Sequence, residues 1–351
     1  MNNMKILHLL PGLKVGGQET MIVNVANEQV KTDDVIVMII NDDYDVHLLS
    51  LFDKRVEIVL IGRPRSSKNP LWLLKLNYEI WKLHPYVVHS HYEKTVMYLL
   101  KYGYKFVYTI HGFTIPPKYL RKNRNLIAIS KGIQEDVKQR ADMDSTVIYN
   151  GLKTESIRQR KTITAYNDNE PFKIVQVSRL YHEIKGQDIL IKAVAKLRDM
   201  GYTNVQLDFI GDGPSMIYLQ DLVEEFKLEN VCFWGTKTIE YINEHLCDYN
   251  LLVQPSRHEG FGLTVAEAMV AKIPVVVSDC SGLLEVVDNG RHCLVFKKDD
   301  VDDCIEKILE IMNTETVTLQ KRVNAAYEYV NNHFSVKITA RKYIDFYRTV
   351  R

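Results

Sequence analysis

Short apolar runs rich in Val and Ile alternate along this chain with longer amphipathic stretches, the pattern of strands and crossover helices in a parallel sheet covered on both faces. Seven runs come first, near Lys5 to Leu10, Val35 to Ile40, Val56 to Leu60, Tyr86 to His89, Phe106 to Ile110, Leu126 to Ile129 and Val147 to Tyr149. A polar stretch from Lys153 to Pro171 reads as a linker. Six more runs follow, near Phe172 to Ser178, Val205 to Ile210, Val231 to Trp234, Leu251 to Gln254, Pro274 to Ser278 and Cys293 to Phe296. The expectation is an α/β chain of two doubly wound, Rossmann-like domains facing a cleft, with ligands beyond the carboxyl ends of the strands. From Asp299 onward the spacing is helical, and Tyr343, Phe346 and Tyr347 fall on one stripe. That last helix, 336–351, is expected to cross back onto the first domain. The domains are then 1–155 with 336–351, and 156–335.

A length of 351 residues suits two domains, and 46% hydrophobic with 25% charged residues is the composition of a folded globular chain. The net charge of +1 carries no chain-wide basic excess, so nucleic acid is not an expected partner. The charge is uneven: residues 1–155 hold 21 basic and 16 acidic side chains. Within that half lie Gly62-Arg63-Pro64-Arg65-Ser66-Ser67-Lys68 and Lys118-Tyr119-Leu120-Arg121-Lys122-Asn123-Arg124. The second interleaves apolar groups with four cations. Peripheral contact with the anionic inner face of the cytoplasmic membrane is one expectation for these runs, and solvated loops the other. Five cysteines, odd in number and never spaced as CxxC, argue against a disulfide framework or a zinc site and fit a reducing cytoplasm. No apolar run reaches the ~20 residues of a membrane span. The start lacks the pattern of a secretory leader, so a cytoplasmic location is expected.

The stretch Pro255-Ser256-Arg257-His258-Glu259-Gly260-Phe261-Gly262-Leu263-Thr264-Val265-Ala266-Glu267 follows a strand and opens a helix. Free N–H groups from Phe261 to Leu263, with the helix dipole, make an anion site, and Gly260 and Gly262 let the backbone approach closely. Glu259 and Glu267 bracket that helix start, one able to reach a sugar and the other ribose hydroxyls. Arg179, after a strand, offers a planar fork for phosphate oxygens, and Lys185 offers a point charge. Gly16-Gly17 is a second anion-suited turn, but the spacing is not GxGxxG, which weakens a dinucleotide-binding dehydrogenase. Gly211-Asp212-Gly213-Pro214 reads as conformational. His111 closes a strand. His89 and His91 form an i, i+2 pair without a third ligand at usable spacing. Asp43-Tyr44-Asp45 and Asp142-Met143-Asp144 have a two-carboxylate form and read as surface loops.

With these residues assembled, the chain resembles a retaining glycosyltransferase of the two-sandwich type called GT-B, in the family 4 group that uses nucleotide-sugar donors. The family's Glu-x7-Glu motif matches Glu259 to Glu267. The resemblance implies that Arg179 and Lys185 hold the diphosphate, Glu267 the ribose, and Glu259 with the amides of Phe261 to Leu263 the donor sugar and phosphates. Trp234-Gly235-Thr236 would cradle the base, Gly16-Gly17 would lie near the phosphates, and His111 matches the family's cleft histidine. Two departures stand out. Ser281-Gly282-Leu283-Leu284-Glu285 replaces a Gly-Gly before Pro-Glu, and Lys272 stands where a glycine usually ends the motif helix. The implied function is transfer of a hexosyl or N-acetylhexosaminyl group from a UDP- or GDP-sugar to a saccharide or lipid-linked saccharide hydroxyl in polysaccharide synthesis. It would need no metal and no other cofactor. The alternatives are a nucleotide-sugar epimerase and a non-catalytic nucleotide-sugar binder.

Overall fold

The Val and Ile runs form strands because β-branched side chains fit a pleated surface covered on both faces. The computed structural model describes residues 3–65, 67–164, 166–167 and 169–350. Met1, Asn2, Ser66 of the first basic run, Ala165 and Asp168 of the polar stretch and Arg351 of the last helix lie outside the described residues. The chain divides into two units, one of the residues up to Leu152 with those from Phe334 onward, the other Lys153–His333.

The first unit holds β1 (Lys5–Leu10), β2 (Asp34–Asn41), β3 (Glu57–Arg63), β4 (Val87–Ser90), β5 (Lys105–Ile110), β6 (Asn125–Ala128) and β7 (Thr146–Val147). Their order is β3-β2-β1-β4-β5-β6-β7, with every pairing parallel. Side chains alternate between the two faces. Ile6 and Leu10 join a cluster with Met21, Ile22 and Val25 of the Gly17–Gln29 helix and with Tyr343 and Tyr347 of the Val336–Thr349 helix. Leu7 and Leu9 join Leu76 and Ile80 of the Leu71–Leu83 helix. The chain's last helix is therefore part of the first core, with Tyr343 and Tyr347 fully buried.

The second unit holds β8 (Phe172–Val177), β9 (Val205–Ile210), β10 (Val231–Phe233), β11 (Leu251–Gln254), β12 (Val275–Ser278) and β13 (Leu294–Phe296), in the order β10-β9-β8-β11-β12-β13 and again all parallel. The polar stretch after Lys153 is not a free tether. Ile157 and Ile163 are buried, and Arg158 and Arg160 donate their backbone N–H groups to the carbonyls of Asn243 and Ala271. Two isolated isoleucines are too sparse to register as a pattern, so the sequence reads as linker what the structure lays along the second unit. The five cysteines are all free thiols, four buried and Cys232 exposed. Among the described residues no helix is long and apolar enough to cross a membrane.

Candidate functional site

Each sheet reverses its strand order beside its first strand, between β1 and β4 and between β8 and β11. Beyond such a reversal an open parallel sheet leaves room for a ligand.

At the β8–β11 reversal the short His182–Lys185 helix offers the Ile184 carbonyl to the N–H groups of Arg257 (2.8 Å) and His258 (3.1 Å), which draws the loop after β11 onto the loop after β8. Lys185 Nζ then lies 2.7 Å from Glu259 Oε2. The approach is close enough to require glycine: a Cβ on Gly186, whose φ is +67°, would sit 2.0 Å from the Pro255 carbonyl oxygen. Arg257 fastens the loop from its other side, donating to both oxygens of Asp188 (2.8 and 3.0 Å), to Asp299 and to the His182 carbonyl. Burial works to raise Asp188, and the hydrogen bonds and charge of Arg257 outweigh it, holding the carboxyl below its ordinary value.

Three buried glutamines back this charged pair. Gln254 Nε2 donates to Ser256 Oγ (2.8 Å), and that hydroxyl reaches Glu259 Oε2 (3.3 Å). Gln176 Nε2 donates to the Lys185 carbonyl (2.8 Å), while Gln187 Nε2 holds Ser178 Oγ (2.9 Å) and the Arg179 carbonyl (3.0 Å). Sequence reasoning passed over all three. The available signal was a polar residue near the end of an apolar strand, as at Gln176 and Gln254.

Gly262, at φ +96°, caps the Leu263–Val270 helix, and its carbonyl accepts from Val265 and Ala266. The N–H groups of Leu263 and Thr264 have no acceptor among the described residues, so these open amides begin two residues past Phe261, whose ring is buried. Glu267, half-buried on the second turn, has no hydrogen bond or ion pair to its carboxyl among the described residues. Burial alone pushes its pKa up to about 7. Arg179 is exposed and likewise makes no side-chain bond among the described residues. Trp234 is 45% exposed, with Lys237 Nζ 5.4 Å from its ring centre, and Gly235 accepts from the Gly211 N–H at 2.9 Å; Thr236 follows on the same loop.

Both departures from the family pattern find a place. Lys272 adopts the left-handed conformation, with φ +58°. Gly282 keeps the close approach that its segment serves: a Cβ there would lie 2.3 Å from the Glu259 carbonyl oxygen.

In the first unit, Gly16 caps the Gly17–Gln29 helix with extended backbone. The Glu19 carboxyl folds back on that helix start, and burial raises its pKa. His111, half-buried just past β5, hydrogen-bonds through Nε2 to His91 Nδ1 at 3.0 Å. The pair His89 and His91 acquires a third ring, His8, which the parallel register sets opposite His89. Ring nitrogens of the three lie within 4.8 Å of one another, the spacing of a metal cluster. All six nitrogens, however, hold ordinary hydrogen bonds among themselves or to Gln29, Tyr347, Thr109 and His111. The acidic pairs lie apart from all of this. Asp43 pairs with Lys14 and Arg65, Asp45 caps the Val46–Ser50 helix, and Asp142 and Asp144 both pair with Lys138.

Comparison with known proteins matches residues 15–156 to the family model described as Glycosyltransferase Family 4 and residues 159–329 to that described as Glycosyl transferases group 1. A glycosyltransferase of Methanocaldococcus jannaschii is 29% identical over 65% of this chain and 66% of its own length. Protein CapJ of Staphylococcus aureus is 24% identical over 64% of this chain and 57% of its own length. The match thus spans less than two thirds of these relatives. HepE of Anabaena, solved with UDP and glucose, superimposes with a TM-score of 0.81 at 20% identity, over 99% of this chain and 100% of that one. That likeness is one of fold.

Proposed function

The chain belongs to the GT-B, family 4 glycosyltransferases, and from that premise we propose that it moves a sugar from a nucleoside-diphosphate donor to a hydroxyl of a saccharide or lipid-linked saccharide, with retention and without an essential metal. The observation that carries this reading is the constellation at the β8–β11 reversal. A lysine and a carboxylate sit 2.7 Å apart beside a helix start with open amides, and an unpaired carboxyl stands one turn on. A nucleoside diphosphate supplies a partner for each. Its phosphates take the Leu263 and Thr264 amides with Lys185 and Arg179, and the ribose hydroxyls donate to Glu267. Glu259 accepts from a sugar hydroxyl, and the Trp234–Thr236 backbone lies alongside the base.

In the transfer the glycosidic C–O bond breaks and negative charge gathers on the leaving diphosphate. Lys185 and Arg179 offset that charge where a metal would otherwise be needed. The acceptor hydroxyl attacks from the face the diphosphate leaves, and its proton passes to a diphosphate oxygen. The Anabaena neighbour's ligands, UDP and glucose, support a uridine donor. The test is single-turnover analysis with a panel of labelled UDP- and GDP-sugars. Release of diphosphate nucleotide with a sugar of retained configuration, slow in water and faster with a hydroxyl acceptor, supports the reading. Interconversion of sugar isomers would make the chain an epimerase, and tight binding without turnover would make it a binding protein.

A membrane contact belongs to the same proposal, and the Leu71–Leu83 helix carries it better than the basic runs alone. Its inner face buries Leu76 and Ile80, while Leu71 (61% exposed), Leu74 (67%), Tyr78 (57%) and Trp81 (48%) line the outer face beside the exposed Lys82. Neighbouring Met97 and Leu100 are exposed as well, and Lys122 of the second basic run reaches Met97 Sδ. Apolar groups ringed by lysines suit an anionic bilayer surface. Sedimentation with anionic vesicles that is lost in Leu74→Glu/Trp81→Glu supports it, and no binding at low salt defeats it.

A further inference from the structure

The polar stretch after Lys153 is anchored at alternate residues and leaves the ones between with donors to spare. Arg158 and Arg160 donate their backbone N–H groups to the carbonyls of Asn243 (2.9 Å) and Ala271 (2.9 Å), while those of Gln159 and Lys161 have no acceptor among the described residues. Asn243 lies in the Ile239–His245 helix, which leads into β11, and Ala271 precedes β12. In a parallel sheet both points mark the amino edge of the strands. The charged reversal lies at the carboxyl edge, roughly 13 Å away along the four residues of β11 at about 3.3 Å each.

At that amino edge Arg158, Gln159, Arg160, Lys161, Cys247 and Asp248 line an open cavity of about 500 Å³. All six belong to the second unit. The acceptors beside it are already engaged. One oxygen of Asp248 lies 2.5 Å from Arg158 Nη2 and the other 3.2 Å from His245 Nδ1, and Glu244 also pairs with Arg158 at 3.0 Å. The Cys247 carbonyl accepts from Arg160 Nε at 3.0 Å. The donors are in surplus. Neither terminal nitrogen of Arg160 makes a hydrogen bond or ion pair among the described residues, and neither is a buried orphan, so both open onto the cavity. Lys161 is exposed and makes no ion pair among the described residues. Burial pulls the half-buried Arg160 guanidinium below its ordinary value, and the charge of Asp248 offsets this only in part. Arg158 has its carboxylates, while Arg160 and Lys161 have none of their own.

We propose that this cavity is a phosphate site separate from the charged reversal, in which the Arg160 fork and Lys161 Nζ hold a phosphate group beside the Gln159 amide. A guanidinium fork matches two oxygens of a tetrahedral dianion, and a lysine adds a point charge at a third. A carboxylate, with two oxygens and one charge, would leave one of the two cations unmatched. The site shares no residue with Lys185, Glu259 or Glu267, so it stands whether or not the chain transfers a sugar. Inorganic phosphate, a small phosphomonoester and a lipid phosphate headgroup share the chemistry it requires.

The test reads Arg160 itself, whose Nε–H is held against the Cys247 carbonyl at the cavity. The full chain is labelled with 15N-arginine, and the Arg160 resonance is assigned by its loss in Arg160→Lys. Inorganic phosphate is added at about pH 7.5, where the dianion prevails, with sodium chloride lowered to hold ionic strength constant. The expected result is a shift that saturates and that persists in Lys185→Gln at the charged reversal. In Lys161→Gln, an exposed position whose change leaves the fold in place, saturation should need about tenfold more phosphate, the loss of one charge-assisted contact. A resonance that moves no further than in the chloride control, a shift that never saturates, one lost in Lys185→Gln, or equal saturation in Lys161→Gln would each overturn the proposal. Dihexanoyl phosphatidate in place of inorganic phosphate separates the sources. Saturation at a similar concentration extends the site to a lipid headgroup, and absence of a shift confines it to free phosphate or a small phosphomonoester; either result upholds a site that inorganic phosphate has already saturated.

Discussion

The two strand-order reversals share one topology and opposite electrostatics. At β8–β11 the strand ends present charge: a lysine on a carboxylate, an exposed arginine and an unpaired glutamate. At β1–β4 lie four imidazoles that burial holds neutral and that hydrogen-bond one another, Gln29, Thr109 and Tyr347. Both reversals leave room for a ligand, and the residues near and just past the strand ends decide what each can offer. One reversal is lined by charge, the other by uncharged rings.

The largest expected effect removes the charge from the charged reversal. Lys185→Ala and Glu259→Gln should each lower kcat by a factor on the order of 10² to 10³, from the ~2.7 to 4 kcal/mol that one preorganised contact contributes at the transition state. Nucleotide Kd should move only a few-fold. Turnover near wild type in either variant would remove that residue from the mechanism and erase the contrast.

Acid should next separate the units. A histidine whose folded pKa is lowered resists protonation that the unfolded chain accepts, so its contribution is present above pH 6.5 and is lost as pH falls toward the folded value. For His8, at about 4, going from pH 7 to 5 should cost the first unit on the order of 2 kcal/mol. Glu267 has the opposite sign. Its folded pKa is raised from 4.5 to about 7, so ionisation costs stability as pH rises through that interval. Calorimetry at pH 5 and 7 should show the first unit's transition falling on acidification and the second unit's holding or rising. Both falling together would end the comparison.

Much of this was legible in the sequence, and the exceptions have physical causes. Twelve of the thirteen strands lie where apolar runs place them, and β7, expected at Val147 to Tyr149, shifts to Thr146–Val147 and overlaps its run only at Val147. The Glu259–Glu267 loop was legible because glycines, carboxylates and a helix start lie within one short stretch. The histidine chain was not, since His8, His89 and His111 are scattered and meet only because β1, β4 and β5 are neighbours. The outer stripe of Leu71, Leu74, Tyr78 and Trp81 was missed for another reason. A helix apolar on two sides has little amphipathic contrast and passes for an ordinary buried one.

Two smaller effects sharpen the charged side. Gly282→Ala puts a methyl against the Glu259 carbonyl and should cost the second unit about 1–3 kcal/mol, a fall of roughly 2–4 °C per kcal/mol in its melting temperature. An unchanged transition would show that the loop yields freely. Glu267→Gln should raise the ligand-free melting temperature by several degrees at pH 8 and leave it unchanged at pH 4, while weakening nucleotide binding. A gain at both pH values would mean that packing, not charge, set the cost. Smallest of all, EDTA should leave turnover intact; abolition with rescue by Mn²⁺ would return the leaving-group role to a metal.

The placement of the last helix in the first core bears on how the protein is made. The residues up to Leu152 leave the ribosome early, yet Tyr343 and Tyr347, which complete their core, are translated after the whole of Lys153–His333. At about 5–20 residues added per second, the first unit waits on the order of ten seconds or more while the second is translated. The part of the chain born first is therefore finished last. During that interval the apolar face awaiting Tyr343 and Tyr347 is uncovered, which makes it the natural place for a chaperone to hold the nascent chain.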